Sequence, residues 1–363
     1  MVCSKPNSLP IFFIMGRPRS GTTLLSTLFD AHPNVKIPPE YPVFLFLYQK
    51  FRKVKTWDNA KIISFVDHVF LNHTFNTLTL DNLKINRKAF IDELMALAHK
   101  GTIQDFLKKI NEQAFSVFPK QEILQIGDKN PIYSIHTKRF LKIFPEAKFI
   151  CIVRDYRDNY LSMRKLSELK LEAPVLSLQV ARWRFVARLF LECKKKYPAR
   201  FHIVRYEDLV TDQEKVMREL CGFIGITYNP SVFDFFNMKD VSMKFYPREI
   251  FEKFHQSLMN PVNTGRMNLW KKQLDEKQVR VADQIAGKTA DVLGYERREK
   301  RFSMAVYLIS LPMVIYAGLL FRAMQLGSYL PYNSTRWLSR KVLMLAGIYS
   351  QFSGRKSMAY QEK

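Results

Sequence analysis

Gly16-Arg17-Pro18-Arg19-Ser20-Gly21-Thr22-Thr23 sets two arginines and three hydroxyls around two glycines. Side chains of these types hold anions, and glycine lets backbone N–H groups approach one closely. Five apolar residues, Ile11 to Met15, lead into the loop, and a helix-like segment follows it. A strand, a glycine-bounded loop and a helix N-terminus together aim N–H groups and the positive end of a helix at a phosphate-type ligand. The spacing is that of a P-loop, G-x-x-x-x-G-K-[ST], but Thr22 stands where the lysine belongs. A nucleotide triphosphatase needs that lysine on the β- and γ-phosphates, so a different chemistry at a phosphate-type ligand is expected.

A second constellation lies in Lys148 to Ser162, KFICIVRDYRDNYLS. Phe149 to Val153 is all apolar, as in a parallel strand covered on both faces. Arg154 follows at its end, and Ser162 comes eight residues later, two turns into the next helix. Ligands bind at strand ends in open α/β sheets, and an arginine fork with a hydroxyl suits a phosphate. The plain alternative is a solvated charge cluster at a helix start.

Together these segments resemble the PAPS-dependent sulfotransferases, bacterial members related to the tyrosylprotein and carbohydrate enzymes. GRPRSGTT is similar to their 5′-phosphosulfate loop, and Arg154 with Ser162 to their 3′-phosphate site. The resemblance implies that Arg17, Arg19, Ser20, Gly21, Thr22 and Thr23 hold the phosphosulfate of 3′-phosphoadenylyl sulfate (PAPS). It also implies nucleotide contact by Tyr206, in the YEDL segment after a strand at Phe201, and closure by Arg266, four residues before Trp270. The likeness covers roughly residues 8 to 297.

Asp30-Ala-His-Pro-Asn-Val-Lys-Ile-Pro-Pro-Glu40 resembles a segment of the tyrosylprotein enzymes in which the glutamate is the general base, here Glu40. His32 is the rival base. Gly127-Asp-Lys129-Asn-Pro131 resembles the family segment whose lysine bridges the sulfuryl group and the leaving phosphate, here Lys129. Ser257 has only a loose family counterpart and is left out of the assignment. Sulfuryl transfer needs a base and enough cations, so no metal is expected.

The elements that must position these residues read as α/β: a P-loop-type parallel sheet flanked by helices. Strands are expected at Ile11–Met15, Glu122–Ile126, Phe149–Val153 and Phe201–Tyr206. Helices are expected at Gly21–Ala31, Ser134–Ile143, Asp155–Leu169, Val175–Tyr197 and Asp212–Ile224. A helical insertion over about 42–118, with helical spacing at Asp58–Leu71, Asn86–His99 and Thr102–Phe115, lies between Glu40 and Lys129 and is expected to set acceptor choice. Its many apolar residues fit either a greasy acceptor or packing on the core.

The 363 residues carry a formal charge of +24, which suits anionic partners: PAPS or lipid headgroups. No nucleic-acid-binding signature accompanies it, and nucleic acid is discounted. The four cysteines, Cys3, Cys151, Cys193 and Cys221, are scattered, as in a reducing compartment. Met1 to Pro10 has no apolar core of a signal peptide, so a cytoplasmic enzyme is expected. The sequons at Asn72 and Asn333 are then accidental.

The domain reading is a catalytic region over 1–297 and a basic, hydrophobic helical tail over 298–363. Arg297 to Arg301 is a basic cluster, and Phe302 to Phe321 is twenty residues without a charge. That is long enough to cross a bilayer. The tail is read as membrane-binding, spanning or interfacial, against the alternative of a hairpin packed on the enzyme or on a second copy. The expected activity is sulfuryl transfer to an acceptor hydroxyl, lipid- or sterol-like or on a glycan, by in-line displacement. The rival readings are a P-loop kinase using ATP and magnesium, and a non-catalytic membrane-associated nucleotide-binding protein.

Overall fold

A computed structural model describes residues 8–71, 83–168, 173–238, 262–335 and 337. Cys3, Asn72, Ser257 and the tail from residue 338 lie outside them. The chain forms two compact units, Met1–Arg154 with Leu189–Gly265, and Asp155–Arg188 with Arg266–Lys363.

The first unit is α/β. Its parallel sheet comprises β1 (Ile11–Met15), β2 (Val35–Lys36), β3 (Gln125–Lys129), β4 (Lys148–Val153) and β5 (Phe201–Arg205), in spatial order β2-β3-β1-β4-β5. Successive side chains of a strand point to opposite faces. Phe12 accordingly meets Phe29 of α1 (Thr22–Ala31) at 5.0 Å between ring centroids. Phe13, on the other face, meets Phe140 of α6 (Thr137–Ile143) at 5.0 Å. Both faces of β1 are therefore covered, which is why IFFIM shows no alternation and is buried throughout.

The expected strand at Glu122–Ile126 is displaced to Gln125–Lys129. β1 sets its register, Ile11 against Ile126 and Ile14 against Lys129, which draws Gly127, Asp128 and Lys129 into the sheet. Apolar patterning ends at Ile126 and could not mark those three. The helix expected from Ser134 is a 3₁₀ segment, Pro131–His136, before α6. Pro131 at its first position fits a helix start.

The insertion holds α2 (Phe44–Phe51), α3 (Asn59–Phe70), α4 (Arg87–Met95) and α5 (Ile103–Gln113) among the described residues. Asp58, Asn86 and Thr102 cap α3, α4 and α5 by accepting backbone N–H groups. Trp57 stacks on Phe106 at 4.0 Å, Phe65 packs edge-on against Trp57, and Phe51 packs edge-on against Phe65. The insertion's aromatics thus build its own core.

In the second unit, α7 (Tyr156–Glu168) and the first part of α8 (Leu176–Lys196) pack with helices Glu276–Ala286 and Met304–Gly327. Tyr160, Leu161, Trp270, Leu274 and Val279 form its core.

Candidate functional site

In the first unit the chain leaves β1 and turns to β3 on one side and β4 on the other. This is a topological switch point, where parallel sheets open a crevice at their carboxyl ends. The loop Gly16–Gly21, Lys129 at the end of β3, Arg154 just past β4 and Tyr206 just past β5 all emerge at that edge.

The loop is tightly enclosed. A Cβ at Gly16 would sit 2.6 Å from Cγ2 of Thr22 and 2.9 Å from the Ile152 carbonyl oxygen. Gly21, with φ of 94°, precedes α1, and a Cβ there would lie 2.5 Å from the Tyr206 ring. Arg19 adopts φ of 67°, unfavourable for a residue with a side chain. Strain of this kind persists where the surroundings hold it, commonly at ligand-binding turns. Ser134 holds the loop's start: its Oγ accepts the Gly16 N–H at 2.8 Å and donates to the Gly16 carbonyl at 2.9 Å. α1 has no side-chain cap and no acidic residue in its first turn, so its leading N–H groups suit an anion.

Arg17, Ser20 and Thr22 are buried, and Arg19 and Thr23 are half-buried. Arg154, also buried, donates to the Arg19 carbonyl at 3.2 Å, and its guanidinium lies 4.7 Å from the centre of the Tyr206 ring. Arginine over an aromatic face is a favourable, orienting contact. Loop, Arg154 and Tyr206 therefore form one interlocked group.

Lys129 is 5% exposed, and its Nζ pairs with Glu40 and lies 3.2 Å from Thr23 Oγ1. The loop lacks a lysine at Thr22; a lysine from the adjacent strand reaches its neighbour Thr23 instead. Glu40 keeps 28% of its side chain exposed, so one partner faces the crevice while the other is sealed.

Sequence reasoning missed the support beneath Lys129. The Asp128 carboxylate accepts from Asn130 at 2.7 Å and from Asn111 of α5 at 3.2 Å. Burial pushes its carboxyl up to about 6, the two amide donors opposing. Neither this trio nor Ser134 carries a local signal, since each contact joins distant or unremarkable positions.

His32 is buried and fully engaged. Its Nδ1 accepts the Asn34 N–H at 3.1 Å, which leaves the proton on Nε2 for the Thr227 carbonyl at 2.9 Å. Burial lowers its pKa. This ring fastens the turn after α1 and has no nitrogen left for an acceptor proton.

Ser162 and Arg266 belong to the second unit, Ser162 in the second turn of α7 and Arg266 just before helix Trp270–Gln273. Asp158 of α7 accepts the N–H groups of Asn268 at 2.7 Å and Trp270 at 2.9 Å. The Arg157 guanidinium lies 3.6 Å from the centre of the Trp270 ring and is anchored by Asp155. The segment bearing Arg266 is thereby tied to the helix bearing Ser162. No cluster of metal-ligating residues occurs among the described residues.

The sequence model of the sulfotransferase family matches residues 10–230. A protein-tyrosine sulfotransferase of Drosophila melanogaster is 26% identical over 301 residues, 81% of this chain and 53% of its own length. Protein-tyrosine sulfotransferase 1 of Danio rerio is 26% identical over 227 residues, 62% of this chain and 55% of its own. The chain thus spans about half the length of these curated relatives. The sulfotransferase domain of the Synechococcus PCC 7002 olefin synthase superposes with a TM-score of 0.53, at 21% identity, over 81% of this chain and 97% of that one. The fold is shared with it.

Proposed function

The chain belongs to the sulfotransferase family, and on that premise we propose that it transfers a sulfuryl group from PAPS to an acceptor hydroxyl without a metal. The observation that carries this reading is the buried Lys129 beside Thr23 and Glu40, at the mouth of a loop that no residue larger than glycine could close at Gly16 or Gly21. Arg17, Lys129 and Arg154 are buried cations at one sheet edge, which fits a ligand bearing several phosphate-type groups.

In this reading Arg17, Arg19, Ser20, Gly21, Thr22 and Thr23 hold the 5′-phosphosulfate. Arg154 takes the 3′-phosphate and Tyr206 stays against the nucleotide side of the loop. Ser162 and Arg266 enter the proposal on their motifs alone. Glu40 accepts the acceptor's hydroxyl proton at its carboxylate, and Lys129 neutralises charge that grows on the leaving phosphate oxygen. The pair also regulates itself: a donor that engages Lys129 weakens its hold on Glu40 and frees the base when the donor is in place. The transfer is an in-line displacement in which the S–O bond to the phosphate breaks as one to the acceptor oxygen forms.

The region 1–297 carries this chemistry, and 298–363 is a membrane-binding tail of a cytoplasmic enzyme. The acceptor is a hydroxyl presented at the membrane, on a lipid, a sterol-like molecule or a glycan. A tyrosine hydroxyl, after the names of the curated relatives, is the rival.

Calorimetric binding of 3′-phosphoadenosine 5′-phosphate, ADP and ATP to wild type and Arg154→Ala tests the reading. A clear preference for the 3′-phosphorylated ligand, lost in the variant, is expected. Equal or tighter binding of ATP overturns it in favour of a kinase.

A further inference from the structure

Helix Met304–Gly327 is long and apolar enough to cross a membrane, yet the second unit holds it along its length. At its start, Gln284 and Ser303 exchange two hydrogen bonds, of 2.9 and 2.8 Å. Toward its end, Phe321 packs edge-on against Phe185 at 5.3 Å, with the Arg182 guanidinium 5.8 Å from its ring centre. Ser310 and Ala317, one helical face two turns apart, are buried between these anchors. Ser303 and Phe321 are about 27 Å apart along the helix axis, nearly the thickness of a bilayer's hydrocarbon core.

Among the described residues, nothing covers the opposite face. Leu308, Ile315, Leu319 and Leu326 recur at helical spacing and are exposed by 58, 51, 61 and 70%, with Ile309 at 78% and Tyr316 at 50% beside them. A continuous apolar stripe of this size is not left to water in a soluble protein. Cations lie at its margins: Arg298, Lys300 and Arg301 are exposed before it, and Arg322 is exposed along its flank. Exposed Tyr329 and Trp337 follow, side chains suited to the headgroup level of a membrane.

A helix standing across the bilayer would carry its packed neighbours with it. Arg182 of α8, whose guanidinium lies 5.8 Å from the centre of the Phe321 ring, would be drawn into hydrocarbon. Charged side chains are rare at that depth unless paired or facing water. We propose that helix Met304–Gly327 lies along the membrane surface and sets its Leu308–Leu326 stripe into one leaflet, with the flanking arginines and lysine on anionic lipid headgroups. The inference rests on the reading of the tail as membrane-binding and specifies how it binds. An apolar face with cations at its margins is what one-sided docking on an anionic surface requires.

The test uses the full chain with vesicles of phosphatidylcholine, alone or mixed with phosphatidylserine. Sedimentation with the mixed vesicles is expected, weakened by high salt and about tenfold or more weaker for I309E/L319E/L326E. Nucleotide binding by that variant should match wild type, which certifies its fold. Membranes of expressing cells should release the protein into alkaline carbonate. Failure to bind vesicles, with or without a dimer that the substitutions dissociate, overturns membrane docking itself. Vesicle binding with retention in carbonate overturns only the surface mode and establishes a spanning helix.

Discussion

At the carboxyl edge of the sheet, charged side chains are buried; on helix Met304–Gly327, apolar side chains are exposed. Each inverts the ordinary rule of burial, and each is the more informative for it. The two inversions are sustained differently. Lys129 and Arg154 are buried because Glu40, Thr23, the Arg19 carbonyl and the Tyr206 ring compensate their desolvation within the first unit. Nothing among the described residues covers Leu308, Leu319 or Leu326, so their compensation must come from beyond those residues. Satisfied inversion marks a prepared site, and unsatisfied inversion marks a surface that expects a partner.

The contrast breaks most sharply at Glu40. If the Lys129–Glu40 pair is catalytic, Glu40→Gln should lower kcat by about 10²–10⁴ while 3′-phosphoadenosine 5′-phosphate binds within about threefold of wild type. Turnover assays with labelled PAPS and calorimetry check this; wild-type turnover would reduce the pair to structure. Lys129→Met comes next, with kcat/KM expected to fall by about 10²–10³ from lost charge stabilisation. Unlike Glu40→Gln, it should also weaken nucleotide binding, which distinguishes the cation from the base in the same titration.

A smaller effect sharpens the contrast by separating support from chemistry. Asp128 has its carboxyl at about 6 through burial, above its ordinary 3.8. The folded state therefore keeps a proton that the unfolded chain releases, and this group's contribution to stability falls as pH rises through that window. About two units correspond to about 3 kcal/mol. Urea unfolding should show Asp128→Asn gaining about 2 kcal/mol on wild type between pH 4 and 7. His136, which burial holds down to about 4, tilts the other way but is common to both proteins. The smallest change in turnover is expected for His32→Gln: within about twofold per folded molecule, with stability lower by about 1–3 kcal/mol from its lost hydrogen bonds to Thr227 and Asn34. A collapse in kcat at unchanged stability would return His32 to the list of bases.

Legibility in the sequence followed the range of the interaction that fixes each feature. β1, β4 and α1 were readable because continuous apolar runs and a glycine-bounded loop are local patterns, and they carry the Gly16–Gly21 loop and Arg154 with them. β3 was misplaced by three residues, since Gly127, Asp128 and Lys129 enter the sheet only by pairing with Phe12, Phe13 and Ile14. Asn111 of α5, in another element, donates to the Gly127 carbonyl and to the Asp128 carboxylate and so satisfies two of their polar groups. Glu40 and Lys129 were each legible as chemistry, but their pairing across 89 positions was not. The same holds for Ser134 beneath Gly16, 118 positions away. Residue types and short spacings thus pointed to the family, to the residues proposed for its chemistry and to a greasy C-terminal segment. Tertiary structure alone decided which charges are sealed, which histidine is spoken for and which face of helix Met304–Gly327 is left uncovered by the described residues, because burial belongs to the assembled packing and no local stretch of sequence encodes it.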